Sequence, residues 1–478
     1  MHRLLLAATT VVALVVPSLP AQAPTCALTL DSLDAKLRQN YAAFHLEVRG
    51  PRRAAYDTMR ARLSRESRQQ GIDGCFPLLT RYTSWFGDPH LFVFQNQAPD
   101  SAERAAHRAA VQRREIDVDA LRREWVERRN DVDPIEGIWY DGATELAVVR
   151  ATPESRSHFV AVLTRGDTTG WDAGDERALF IRRSDGGYDA TLLTRNFARL
   201  KLVARIHRGT VLRLSPGMWG KRFPVAPADS GYLDSADVHR PRVVVREHSV
   251  VVSIPSHDPR YAFALDRALR AADTAIRARP LLIVDLRGNE GGGSMMSRAL
   301  HPYITTADQR PTPYDSGTAV MWSSPAQVAY ARRAFGPDTS LFVRSLVSRL
   351  EARPGTLVPL EEAPARPMQE PSHAGAWKVA VLVDGGTVSA AEVLVLRALR
   401  SSRSAVIGEP TAGALDYQSV SIVGLGTGDR RWALGYPTIA AHADLPARGM
   451  RGQGIRPTMP LAWASVRDAY ASVERLMR

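Results

Sequence analysis

The sequence predicts an α/β core in the C-terminal half, preceded by a mostly helical N-terminal domain and by an antiparallel β domain inserted between the two. Three observations carry this. From about Val243 onward, apolar strand-like runs alternate with helical stretches, the pattern of an α/β core. From about Pro134 to Leu233, short alternating runs such as ELAVVR, HFVAVL and ALFIRR are separated by Gly/Asp/Ser turns, which reads as antiparallel β. From Ser32 to Arg68, apolar residues recur at helical spacing, at Leu33, Leu37, Tyr41 and Phe44, then at Tyr56, Met59 and Leu63. At 478 residues the chain has room for about two to four domains. The divisions expected are 1–23, 24–130, 131–237 and 238–478.

The first of these, Met1 to Ala23, has a short basic start, an apolar run of about 13 residues from Leu4 to Val16, and a small-residue ending at Ala21-Gln22-Ala23. That is the layout of an export signal, and the run is too short for the ~20 residues of a spanning helix. The mature chain is therefore expected to be periplasmic or extracellular, with no stable membrane span after the signal is removed. Ala-Pro-Thr before Cys26 makes a poor lipidation motif. Cys26 and Cys75 are the only cysteines, and an even pair in an exported chain suggests one disulfide, with two buried thiols as the alternative. No Cys/His spacing suits a structural metal, and neither a metal nor an organic cofactor is expected.

Phe76 to Phe94 adds apolar and aromatic residues around a GDPH turn, and Ala102 to Arg129 reads as a charged, solvated helix. In the C-terminal half the strand-like runs are VVVREHSVVVSI, PLLIVDL, KVAVLV, SAVIG and SIVGL, with helices at Phe263 to Arg277, Ser294 to Leu300 and Ala390 to Arg400. Composition excludes several classes: 45% hydrophobic and 23% charged residues describe a globular protein, not a collagen, coiled coil, disordered chain or multi-span membrane protein. The net charge of +12 is no nucleic-acid signature, because only four of the 62 basic residues are lysine and the arginines are spread along the whole chain.

Two corners of the α/β half could carry chemistry. In LLIVDLRGNEGGGS (281–294) a buried strand runs into a glycine-rich turn that opens a helix. Its backbone N–H groups could hold an oxyanion or a phosphate, although neither a dinucleotide fingerprint nor a P-loop can be read from it. In WKVAVLVDGGTVSAAEVLVLRALR (377–400) a strand ends in Asp-Gly-Gly, and Ser389 stands at the start of a helix. Ser389 with Glu392 three residues on also makes a capping box, the commoner use of such a pair.

Taken together, DLRGNEGG at 285–292, TVSAAE at 387–392 and IGEPTAG at 407–413 resemble the motifs of the S41 family of serine peptidases, the C-terminal-processing and tricorn-like group. The resemblance covers about Val243 to Pro460 and, more loosely, the segment with GDPH. It implies a ClpP/crotonase-type sheet with helices, peptide or protein substrates, Ser389 as nucleophile, an oxyanion hole from Ala390 and the Gly291-Gly292 turn, and Gln418 near the site. One departure matters. Processing peptidases carry a lysine base about 25 residues after the serine, whereas Ala414 stands there and no lysine follows Lys378.

Histidine is then the natural base. His90, in Gly87-Asp88-Pro89-His90, matches the D-x-H segment of tricorn-like members, with His257 and His442 in reserve. The glutamate that orients the base in that group falls at Arg451, so Asp416, or else Asp88, is expected in its place. Three functions fit these residues: an exported serine peptidase, a peptide-binding protein on the same fold with impaired catalysis, and an esterase or amidase using Ser389, for which the usual G-x-S-x-G elbow is missing.

Overall fold

The computed structural model describes residues 25–72, 74–95, 101–128, 131–167, 170–194, 197, 199–214, 217–225, 237–314, 318–335, 340–361, 372–375, 377–425 and 432–478. The export signal expected at 1–23 lies outside them. An α/β core, helical N-terminal elements and an inserted antiparallel β domain are all present.

The core sheet runs in the order 242–245, 249–253, 281–285, 378–383, 404–408, 459–460. All pairings are parallel except the first, where the run VVVREHSVVVSI folds back on itself as Arg242–Val245 against Ser249–Ser253. Every residue of Leu281–Asp285 is buried, as a parallel strand covered on both faces must be. Val250, Val252, Leu282, Val284, Val379 and Val381 pack under the helices Ala262–Ala278 and Ala390–Leu399. The alternate residues Val251, Ile283, Ala380, Leu382 and Ile407 meet Tyr470 and Val473 of the helix Ala469–Leu476 on the other face. Each such fully buried Val, Leu or Ile side chain contributes about 1.5–3 kcal/mol.

The run SIVGL does not join that sheet. It belongs to Tyr417–Leu425, which pairs antiparallel with Trp432–Ala440. Along its other edge Trp432–Ala440 takes Phe92–Gln95, with Phe92 opposite Gly435, and Val320–Trp322. This second sheet ties the segment just after His90 to the segment just after Ala414. Its apolar face shares a core with the helices Cys26–Asn40, Ala42–Glu47, Gly50–Ser67 and Phe76–Ser84. Cys26 and Cys75 are disulfide-bonded within that core, which commits the Cys26 thiol.

The segment expected as one charged helix holds two, Ser101–Ala109 and Val118–Glu127. The β domain closes: eight antiparallel strands from Gly137–Tyr140 to Gly217–Phe223 form a barrel, because the first and last pair with each other. Closure leaves no edge strands for aggregation. Ser294–Leu300 is a 3₁₀ helix, and among the described residues no helix is long and apolar enough to cross a membrane.

Candidate active site

Two turns at the C-terminal ends of neighbouring parallel strands are stitched together. The Val388 N–H donates to the Asn289 carbonyl at 2.9 Å, and the Thr387 hydroxyl donates to the Leu286 carbonyl at 3.0 Å. The Asp384 carboxylate accepts from the Gly288 and Gly386 N–H groups, both at 2.9 Å. Between these turns Ser389 is held at φ 57°, ψ −118°. A non-glycine residue there costs about 1–3 kcal/mol and persists only where the surroundings enforce it.

The enforcing contacts are identifiable. The Ser389 N–H donates to Glu392 Oε2 at 2.8 Å. Gly291, at φ +91°, lies so close that a Cβ built on it would meet Ser389 Cβ at 2.8 Å and the Ala390 nitrogen at 3.0 Å. The expected capping box and the expected nucleophile position are thus one arrangement, since the cap carboxylate holds the serine backbone.

Of the three residues expected around an oxyanion, Gly291 has its N–H committed to Asn289 Oδ1 at 2.9 Å. Its carbonyl accepts from the His257 N–H at 3.0 Å, and the Gly293 N–H returns to the His257 carbonyl at 2.8 Å. The Gly292 and Ala390 N–H groups find no acceptor among the described residues. Gly291 therefore supplies room, and the N–H groups left unused beside it are those of Gly292 and Ala390.

His90 arrives on the Asp88-Pro89 turn. Asp88 Oδ1 accepts the His90 N–H at 2.9 Å and Oδ2 accepts the Tyr41 hydroxyl at 2.5 Å, and burial pushes the Asp88 carboxyl up to about 6. Burial lowers the His90 imidazole from the usual histidine value, partly opposed by the backbones of Tyr417 and Ala414 beside it and by the negative charge of Glu392. Its Nδ1 is buried with no partner among the described residues. The Ala414 N–H donates to Glu392 Oε2 at 3.0 Å, the same oxygen that takes the Ser389 N–H. His90 and Ser389, 299 positions apart in sequence, so converge on one carboxylate. No hydrogen bond joins the Ser389 hydroxyl to the His90 ring in this conformation.

The remaining expected residues fall elsewhere. The carboxylate of Asp416 accepts the Met450 and Arg451 N–H groups at 2.7 and 3.1 Å and closes that turn, so it holds no imidazole. Asp88 likewise spends its oxygens on backbone and tyrosine rather than on the ring. Gln418 donates to the Leu415 carbonyl at 2.8 Å. His257 is fully buried and pushed down to about 4 by burial, with Nδ1 3.2 Å from Asn289 Oδ1. His442 lines a separate cavity of about 300 Å³ with Asp416, Tyr314 and Arg456. Lys378 Nζ donates to the Met477 carbonyl, at the far end of its strand.

Two buried acids lie outside the expected site residues. Glu392 accepts from Ser389, Gly413, Ala414 and the Thr411 hydroxyl. Glu47 accepts the Tyr417 hydroxyl at 2.7 Å and pairs with Arg451 at 2.8 Å. The capping spacing signalled the first. For the second, the only sequence signal is an acid closing the mostly apolar helix AAFHLE. Among the described residues no cluster of His, Cys, Asp and Glu could hold a metal.

Residues 250–461 match the family model described as Peptidase family S41. No curated protein matches the sequence. Similar solved structures include mature CPAF (13% identity, 94% of this chain and 96% of that chain covered, TM-score 0.47). A photosystem II D1 C-terminal processing protease follows (13% identity, 95% and 97% covered, TM-score 0.37). A third is a putative S41 protease from Bacteroides fragilis (14% identity, 92% and 92% covered, TM-score 0.37).

Proposed function

Proceeding from a chain whose residues 250–461 belong to peptidase family S41, we propose an exported serine peptidase in which Ser389 is the nucleophile and His90 its general base. The observation that carries the reading is the His90 imidazole lying against Ala414, the position that holds the lysine base in the processing peptidases this chain resembles. An imidazole with an unpartnered buried nitrogen stands in for an ammonium group. Burial keeps it below the ordinary histidine value, so it is neutral and able to accept a proton near pH 7.

In the proposed cycle, the Ser389 hydroxyl attacks the substrate carbonyl as His90 takes its proton. The oxyanion lodges between the Gly292 and Ala390 N–H groups, and the proton passes to the leaving amine. Water, activated by the same imidazole, then releases the acyl group. Among the described residues no carboxylate hydrogen-bonds the ring, and the Ala414 and Tyr417 backbones beside it take over its orientation. The units of this reading are an export signal at 1–23, a domain carrying His90 at 24–130, the β domain at 131–237 and the catalytic domain at 238–478. The Cys26–Cys75 disulfide suits an oxidising compartment.

Purified protein is expected to hydrolyse peptides, with hydrolysis abolished in Ser389→Ala and strongly reduced in His90→Ala. Turnover of esters with no turnover of any peptide would shift the reading to an esterase. One observation favours a peptide-binding protein with impaired catalysis, the unformed Ser389–His90 hydrogen bond. Peptide affinity without turnover in the intact protein would establish that alternative.

A further inference from the structure

Among the described residues the barrel reaches the catalytic loops through the hairpin formed by Arg199–His207 and Val211–Leu214. His207 Nδ1 lies 2.6 Å from Asp384 Oδ2. Burial works against the Asp384 charge, yet His207, the Gly288 N–H and Arg287 together hold its carboxyl below the usual range. An ionised carboxylate only accepts, so Nδ1 must carry the proton. The ring fills the space between the two turns: a Cβ built on Gly288 would lie 2.7 Å from His207 Cβ, and one on Gly386 would collide with the ring itself. Two arginines extend the contact. Arg213 donates to the Gly288 carbonyl and, at 2.8 Å, to the Pro255 carbonyl. Arg208 pairs with Asp285 at 3.3 Å. The hairpin thus reaches the ends of three adjacent core strands.

We propose that His207 is a positioning residue of the active site: reaching in from the barrel, it holds Asp384, and through it the Gly288 and Gly386 N–H groups that fix the turns bearing the oxyanion donors and Ser389. The β domain then acts as a clamp on the catalytic loops, and a shift of its hairpin would loosen both turns at once. This rests on the Ser389 reading for its catalytic consequence, but not for its structural one.

The test compares His207→Ala with His207→Asn, whose amide can still donate to Asp384. Outright loss of an oxyanion donor costs ~100–1000-fold, and loosening one should cost less. His207→Ala is expected to lower kcat about 10- to 100-fold with KM within about 2-fold, and His207→Asn to recover to within about 3-fold of the parent. Amide exchange at 286–293 and 384–389 should quicken about 10-fold or more in His207→Ala alone, with the barrel strands unchanged. Should His207→Ala not fold, His207→Leu fills the same space without a donor and replaces it. The proposal is overturned if exchange at those turns is unchanged, if His207→Asn is as impaired as His207→Ala, or if the whole barrel exchanges faster. Retained hydrolysis in Ser389→Ala would sink the nucleophile reading while leaving the exchange result to decide the clamp.

Discussion

Gly291→Ala tests whether the wall behind Ser389 is as tight as the structure indicates. The added methyl would lie 2.7 Å from the Val388 carbonyl oxygen, 2.8 Å from Ser389 Cβ and 3.0 Å from the Ala390 nitrogen, on a backbone at φ +91°. Restoring separations of ~3.5–4.0 Å at the closest contact requires the nucleophile turn to retreat by about 0.8–1.3 Å, and a displacement near 1 Å costs about 100-fold in rate. The positive φ adds about 1–2 kcal/mol of backbone cost. Gly142→Ala separates the two effects, because Gly142 has φ +94° but nothing within 4 Å of its would-be Cβ. Measured by kcat/KM on a peptide and by thermal unfolding, both variants should lose similar stability from the backbone, with Gly291→Ala losing more from the contacts. Only Gly291→Ala should lose about 100-fold in activity. Activity in Gly291→Ala within about 3-fold of Gly142→Ala would refute the geometry of the site.

Three further outcomes are expected. Since a protonated imidazole cannot accept the serine proton and burial holds His90 below its usual value of 6.5, kcat/KM should rise with pH and level off with a midpoint below 6.5; a midpoint well above it would contradict His90 as base. Asp88 titrates at about 6 when folded against 3.8 when free, so the native state holds the extra proton between those values and its contribution to stability falls as pH rises through that window; unfolding of Asp88→Asn should lack that fall, and an unaltered pH profile would refute it. The 49-residue separation of Cys26 and Cys75 implies about 4 kcal/mol of stabilisation from loop closure, so reduction or Cys26→Ser should lower the denaturant midpoint, and an unchanged midpoint would show that the N-terminal core holds without it.

Legibility followed locality. Both strand–turn–helix corners could be read because an apolar run followed by Asp, Gly and Gly declares where a buried strand ends, and Ser389 and the Gly291–Gly292 turn follow from that. The meeting of His90 with Ala414 depends on strands Phe92–Gln95 and Tyr417–Leu425 sharing the partner Trp432–Ala440, a pairing that local pattern does not contain; only the family resemblance pointed to His90. Asp416 is an acid near the right turn in sequence, but its carboxylate accepts from the backbone of Met450 and Arg451, 34 and 35 residues on. Glu47 and Arg451, 404 residues apart, neutralise each other in the interior, which no window of sequence could show. The run SIVGL looked like one more core strand because its apolar content is the same in either sheet. The barrel read correctly as antiparallel β, whereas its closure and the reach of His207 depend on first and last strands finding each other.

The relation between His90 and Ser389 is open to one direct measurement: the site and rate of fluorophosphonate modification, followed by mass spectrometry in the intact protein and in His90→Ala. The account predicts a single adduct on Ser389, formed at least about 100-fold more slowly without the imidazole. An adduct on another residue, or equal rates in the two proteins, would contradict it.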